Sequence, residues 1–309
     1  MTDLERYILD EWTDDYRSGR LGRREFLRRV AVFSGGAGAG LALLTSRGFA
    51  ASPDEVAQAA AAPAPLQAQG SGVTVPPNDP AFEANMLSFS GGGATVQAYL
   101  AVPRNRPKGP AVIVIHENRG LLEHFKDVCR RFAKAGYAAL AVDLMSPQGG
   151  TEKFTDSAQV SAYLSRTPPT QHVELLNAGA RYLQGLSAIR ADRLGVIGFC
   201  FGGGMTWRLA TQNADLRAAV PFYGPNPPLE DVAKIRAAVL ALYGALDTFV
   251  NPGISAMKTA LDNAKVTYET HIYEGANHAF FNDTGANYNA AAAKDAWART
   301  LAWFGRWLS

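Results

Sequence analysis

The stretch LGVIGFCFGGGMTWRLAT, residues 194–211, joins an apolar run to a helical pattern through a corner with glycines on both sides of a cysteine. The chain has two cysteines, Cys129 and Cys200, and one of them stands at this corner. Gly198 and Gly202 lie two residues before and two residues after Cys200. In a tight strand-to-helix turn those are the positions where strand and helix nearly touch, so a larger side chain would force them apart. Glycine turns are common, and on this stretch alone a buried structural cysteine is the alternative. The elements around the corner decide between the two readings.

Outward from the corner the pattern alternates. ANMLSFS and TVQAYLAV flank GGGA and read as a β-hairpin. Apolar runs follow at 111–116, 137–143, 193–198, 218–223, 237–244 and 267–273, with helical patterns between them, for example at 124–136 and 252–264, and a last one through NAAAAKDAWARTLAWFGRWL. Strands that are apolar at nearly every position and alternate with helices predict an α/β protein with a mainly parallel central sheet and helices on both faces. Such a sheet binds its ligands at the carboxyl ends of the strands. Cys129 falls on the apolar side of helix 124–136 beside Val128, and reads as a small buried hydrophobe. Trp297, Leu301 and Phe304 share one face of the last helix and read as core anchors.

Two later stretches give the corner a chemical meaning. YGALDTFV places Asp247 three residues beyond a strand end, and YEGANHAFF places His278 five residues beyond the next one. The order Cys, Asp, His is the chain order of α/β-hydrolases, and GFCFG fits their GxSxG corner with cysteine in the place of serine. In that arrangement His278 takes the thiol proton, Cys200 attacks as a thiolate, and Asp247 orients and steadies the imidazole. The oxyanion needs two preset donors. The expected pair is the backbone N–H of Phe201 at the start of the following helix and that of Asn118 in the loop after AVIVIH.

GFCFGG, LDTFV, EGANHAFFND and IHENRG together resemble the dienelactone hydrolase family over roughly residues 82–309. The resemblance implies an α/β-hydrolase fold and carboxymethylenebutenolidase-like cleavage of an ester or lactone, without metal or organic cofactor. It also implies that Glu117 contacts the resting Cys200 and helps to generate the thiolate. One departure concerns the substrate. Two arginines that hold the substrate carboxylate in well-studied members are missing: the loop after Asp143 reads LMSPQGG, and Asn282 stands four residues past His278. Arg119 and Asn282 are therefore the candidate substrate-binding residues. The runner-up activity is that of a general carboxylesterase or thioesterase. From another class, a non-catalytic binding protein or a thiol redox sensor would keep the pocket without the turnover.

The first fifty residues differ from the rest. Residues 1–16 carry six acidic residues and one arginine, after which Arg17, Arg20, Arg23, Arg24, Arg28 and Arg29 meet only Glu25. This basic flank runs into the fifteen apolar residues of VAVFSGGAGAGLALL, 30–44, short for a span of ~20 residues. RREFL before a short apolar run is the layout of a twin-arginine export signal, which predicts export to the periplasm or beyond, with export machinery engaging residues 23–44. An uncleaved signal anchoring the chain to the membrane is the alternative. AQA (57–59) and APA (62–64) both fit a small-x-small cleavage site. The expected domains are thus an export signal region over 1–50, an Ala/Pro-rich linker over 51–80 without helical periodicity, and the hydrolase-like domain over 81–309. With 30 basic and 28 acidic residues in 309, the chain has no basic stripe to track phosphates, which excludes nucleic acid as a partner and leaves a small ester or lactone.

Overall fold

The structure is a computed structural model that describes residues 1–63, 73–104 and 108–309. Eight strands form one sheet: β1 (Phe82–Gly91), β2 (Ala94–Pro103), β3 (Gly109–Ile115), β4 (Ala138–Val142), β5 (Ile189–Phe199), β6 (Leu216–Phe222), β7 (Ala238–Gly244) and β8 (Tyr268–Tyr273). Their order is β1-β2-β4-β3-β5-β6-β7-β8. β1, β2 and β4 pair antiparallel, and every pair from β4 through β8 is parallel. β3, β4 and β7 are buried along almost their whole length, which is why their sequences lack alternation.

Helices cover both faces. Gly195 faces Phe304 and Leu308 at the C-terminal end of the chain, whereas Gly198, three residues on, faces Thr206. On the first face α5 (Glu123–Ala135) meets the last helix through Phe132 and Trp297, whose ring centroids are 4.6 Å apart. On the other lie α7 (Pro169–Gly185) and α8 (Phe201–Gln212), preceded by α6 (Ser157–Arg166). The remaining helices of this part are α9 (Ile254–Asn263) and α10 (Ala290–Trp307). Cys129 is fully buried in α5, as its position predicts.

The first sixty residues fold onto this unit as α1 (Asp3–Arg17), α2 (Arg23–Ser34), α3 (Ala37–Ser46) and α4 (Pro53–Ala60). Over Pro53–Ala60 the structure corrects the expectation of a linker without helical periodicity, while residues 64–72 of that stretch lie outside the described residues. Ser52 caps α4 by a reciprocal bond with Glu55, Pro53 begins the helix, and Val56 and Ala59 are buried. One turn of apolar spacing, from Val56 to Ala59, is too short to register as periodicity. Of the cleavage candidates, AQA lies inside α4, and APA extends beyond the described residues. The apolar run 30–44 does not form one helix. It breaks at Gly35 and Gly36, both at positive φ, and α2 and α3 meet at 110°. Among the described residues no single helix is long and apolar enough to cross a membrane. Arg28 of α2 is buried in an ion pair with Asp156, just ahead of α6, at 2.7 Å.

The corner depends on close backbone approach. A Cβ at Gly202 would lie 2.4 Å from the Ile115 carbonyl oxygen, and one at Gly198 would lie 2.2 Å from the Gly202 carbonyl oxygen. Neither contact can relax by rotating a side chain. Gly202→Ala is expected to destabilise the fold by about 3 kcal/mol and lower the Tm by on the order of 5–10 °C. Gly185→Ala, where no atom lies within 4 Å, serves as the control. Equal melting of the two variants would contradict the assigned role of the corner.

Candidate active site

Cys200 lies between β5 and α8 with φ 57° and ψ −120°, a conformation that L residues rarely adopt. The turn lifts the thiol to the carboxyl end of the sheet, and Phe201 begins α8 directly after it. As the first helical residue, Phe201 has no intrahelical acceptor for its N–H, which points out at the positive end of the helix. Asp247 follows β7 and His278 follows β8 on the same side. His278 Nδ1 is 2.7 Å from Asp247 Oδ2, while Asp247 Oδ1 accepts the backbone N–H groups of Phe249 and Val250 at 3.3 and 3.0 Å. The imidazole packs against Phe249 and Tyr223, with ring centroids at 4.5 and 4.9 Å. Cys200 Sγ, His278 Nε2 and a carboxylate oxygen of Glu11 all lie within 4.8 Å of one another. Those three atoms could ligate a divalent ion, which would bind the thiol and the imidazole together.

The third member of that cluster comes from α1, which sequence reasoning did not connect with the site. Tyr7 donates its hydroxyl hydrogen to Cys200 Sγ at 3.3 Å, and its oxygen is 3.2 Å from His278 Nε2. Glu11 accepts the side-chain N–H of Asn118 at 2.7 Å and lies 3.6 Å from Sγ. A signal was present: Leu4, Tyr7, Ile8, Glu11 and Trp12 share one face of a helix, and Thr2 and Glu5 form its capping box.

The other candidates are placed as follows. Glu117 lies at the end of β3 and is buried, but its carboxylate is held by Asn282 Nδ2 at 2.8 Å and by the Tyr223 hydroxyl at 3.4 Å. The carboxylate against Cys200 is that of Glu11, which corrects the expected resting contact with Glu117. Asn282 thus positions Glu117 as well as lining the cavity beside the site. Asn118 is buried, and its carbonyl accepts from Ser161 at 2.9 Å. Arg119 is exposed on the wall of that cavity, which measures about 130 Å³ and also meets Glu11, Arg20, Arg29 and His278.

The electrostatics follow from burial. Desolvation and the Glu11 carboxylate push the Cys200 thiol up to about 12, against a smaller opposing pull from His278. Burial lowers the basicity of His278, but the charges of Asp247 and Cys200 outweigh it and raise its pKa well above the usual histidine range. Burial also raises Glu11 from 4.5 to about 7, with His278 and Arg119 pulling it down and Asp15 and Glu117 pushing it up.

Residues 96–308 match the family model described as the dienelactone hydrolase family. A protein of Methylorubrum extorquens assigned as a carboxymethylenebutenolidase is 37% identical over 68% of this chain and 76% of its own length. One of Salmonella typhimurium with the same assignment is 35% identical over 74% of this chain and 89% of its length. The crystal structure of a protein from Klebsiella pneumoniae assigned as a dienelactone hydrolase superposes with a TM-score of 0.68 at 35% identity, covering 73% of this chain and 99% of that one. The fold is that of the α/β-hydrolases, and the chain is a hydrolase of ester or lactone bonds. It belongs to the dienelactone hydrolase family.

The raised pKa of Glu11 makes the docking of α1 depend on pH. Docked, Glu11 holds its proton up to about pH 7; undocked, it loses it near its ordinary value of 4.5. Docking is therefore tightest below pH 4.5 and weakens as the pH rises to about 7, where the loss levels off. Amide exchange of residues 3–17 should be markedly faster at pH 7.5 than at pH 5 once corrected for intrinsic rates. Equal protection at both would show that Glu11 does not control the contact.

Proposed function

We propose that the chain hydrolyses an ester or lactone by way of a thioester on Cys200. The observation that carries this reading is the 2.7 Å bond from Asp247 to His278, with the other imidazole nitrogen within reach of a thiol held at the strained corner. His278 takes the proton as Cys200 Sγ attacks the carbonyl carbon, and Asp247 holds the resulting imidazolium. The N–H of Phe201, joined by that of Asn118, receives the oxyanion. His278 then returns the proton to the leaving alkoxide. In the second half it deprotonates the water that attacks the thioester, and Cys200 is released.

The Glu117 carboxylate, held by Asn282 and Tyr223, stays on the wall of the site and takes no part in the transfer of the thiol proton. With Asn282 engaged, Arg119 is the cation best placed for an anionic substrate group. No observation favours a thioesterase over an esterase, and the aligned acid and base favour turnover over a sensing or binding role.

Cys200→Ala and His278→Ala are each expected to lose at least a thousandfold in kcat/KM on a panel of esters, thioesters and lactones, with circular dichroism unchanged. Cys200→Ser should also be poor, because an alcohol needs a stronger base than a thiol does. Activity in either alanine variant within tenfold of a parent that hydrolyses the panel measurably would refute the assignment.

Export is the second part of the proposal. Arg23 and Arg24 begin α2, where the Arg23 guanidinium bonds the Ala50 carbonyl oxygen at 2.7 Å and Glu55 at 3.3 Å. A receptor that reads the pair needs α2 free of these contacts. Changing Arg23 and Arg24 together to lysine keeps the charge and should leave the protein in the cytoplasm. Unchanged export by cell fractionation would rule out a twin-arginine route.

A further inference from the structure

We propose that α1 is an intramolecular inhibitor: docked, its Tyr7 and Glu11 fill the space through which a substrate carbonyl must reach Cys200. The inference rests on the reading of Cys200 as the nucleophile. A carbonyl carbon about to be attacked stands roughly 3–3.5 Å from the attacking atom. At 3.3 Å from Sγ the structure has the Tyr7 oxygen, which is also 3.2 Å from the imidazole nitrogen that must take the proton. One hydroxyl thus holds both reacting groups. Cys200 and His278 are 1% and 3% exposed, and the cavity beside the site does not reach the thiol.

Tyr7 donates to the thiol and acts by obstruction, so the chemistry that separates an inhibitor from a helper is that of Glu11. Catalysis here needs a thiolate and then an oxyanion, and both are favoured by cations or hydrogen-bond donors. Glu11 brings a carboxylate to within 3.6 Å of the thiol and occupies the side chain of Asn118. Above about pH 7, where docked Glu11 is ionised, an anion at that point opposes both charges. Removing α1 would remove the repulsion as well as the obstruction.

The contact is also built to hold. Leu4, Ile8, Leu9 and Trp12 are buried along α1. At its ends Thr2 bonds the Ser165 carbonyl oxygen at 3.0 Å, Glu5 pairs with Arg166 at 3.2 Å, and Asp14 accepts from Thr248 at 3.2 Å. Both small-x-small stretches, at 57–59 and 62–64, lie C-terminal to α1. A cut at either would sever the covalent link between the inhibitor and the hydrolase domain, so that α1, once undocked, would not return.

The full-length chain tests this through two variants. Ile8→Asp places a charge in the buried face of α1 without altering a group that touches Cys200. Asp14→Cys/Thr248→Cys allows a disulfide that fastens α1 in place. The readouts are the rate at which iodoacetamide labels Cys200, located by peptide mass spectrometry, and hydrolysis of the ester panel, with amide exchange of residues 3–17 reporting docking.

Ile8→Asp should label Cys200 at least tenfold faster than wild type, with hydrolysis rising in step. The oxidised double variant should label at least tenfold more slowly than its reduced form, under conditions that leave wild type unchanged. The lock decides alone should Ile8→Asp fail to fold. Faster labelling with no hydrolysis in wild type or variant supports the occlusion and overturns the esterase reading instead. The proposal is overturned if Ile8→Asp exchanges freely over 3–17 yet labels Cys200 at the wild-type rate, or if oxidation of the double variant changes nothing. It is equally overturned if undocking lowers a measurable wild-type hydrolysis, which would make α1 part of the working site.

Discussion

Where β5 turns into α8 there is no room for a side chain, and the rest of the site is arranged around that approach. The Gly202 Cα lies against the carbonyl oxygens of Ile115 and His116 at the end of β3. Gly203 lies as close to the Phe222 carbonyl at the end of β6. The start of α8 is thereby wedged between the two neighbouring strands. Cys200 takes up the strain, with a positive φ that aims its thiol over the sheet. Since β7 and β8 run parallel to β5, the loops that follow them open on the same side and bring Asp247 and His278 to that thiol. Parallel register, rather than any local feature of those loops, is what lets residues 47 and 78 positions apart meet at one point.

A buried thiol needs help to ionise, and here the surroundings work in both directions. His278, steadied by Asp247, favours the thiolate; burial and Glu11 oppose it more strongly, and the thiol ends well above its ordinary range. The balance follows from α1, because Glu11 and Tyr7 both come from it. Glu117, the acid at the end of β3, is meanwhile turned toward Asn282 and Tyr223. Asn282 is thus part of a polar cluster in which an amide tethers the carboxylate.

The strands and the corner were legible in the sequence because their signals are local. A fully buried strand must be apolar at nearly every position, and the glycines flanking Cys200 report a contact that only glycine permits. Asp247 and His278 could be read because the topology places strand ends together whatever the loops do. Helices α6 and α7 were left unassigned, their apolar faces being interrupted by polar residues such as His172, which is buried on a bond to the Leu164 carbonyl. The segment before residue 63 was read for its charge and for the length of its apolar run, and neither measures docking. Arg28, one of the basic residues counted toward a signal, is buried on Asp156, a partner 128 positions away. Tyr7 and Glu11 were missed for the same reason. They lie on the buried face of an amphipathic helix, but what such a face covers is a long-range fact.

The account turns on a covalent bond between substrate and one sulfur atom. Rapid mixing of the full-length protein carrying Ile8→Asp, which frees Cys200 from α1, with a chromogenic aryl ester, acid quench within a single turnover and peptide mass spectrometry measure that bond directly. The account predicts an acyl mass increment on the peptide that carries Cys200, appearing with the first equivalent of released phenol and vanishing as turnover completes. Release of phenol with Cys200 unmodified at every time point, or an acyl group on another side chain, would contradict it.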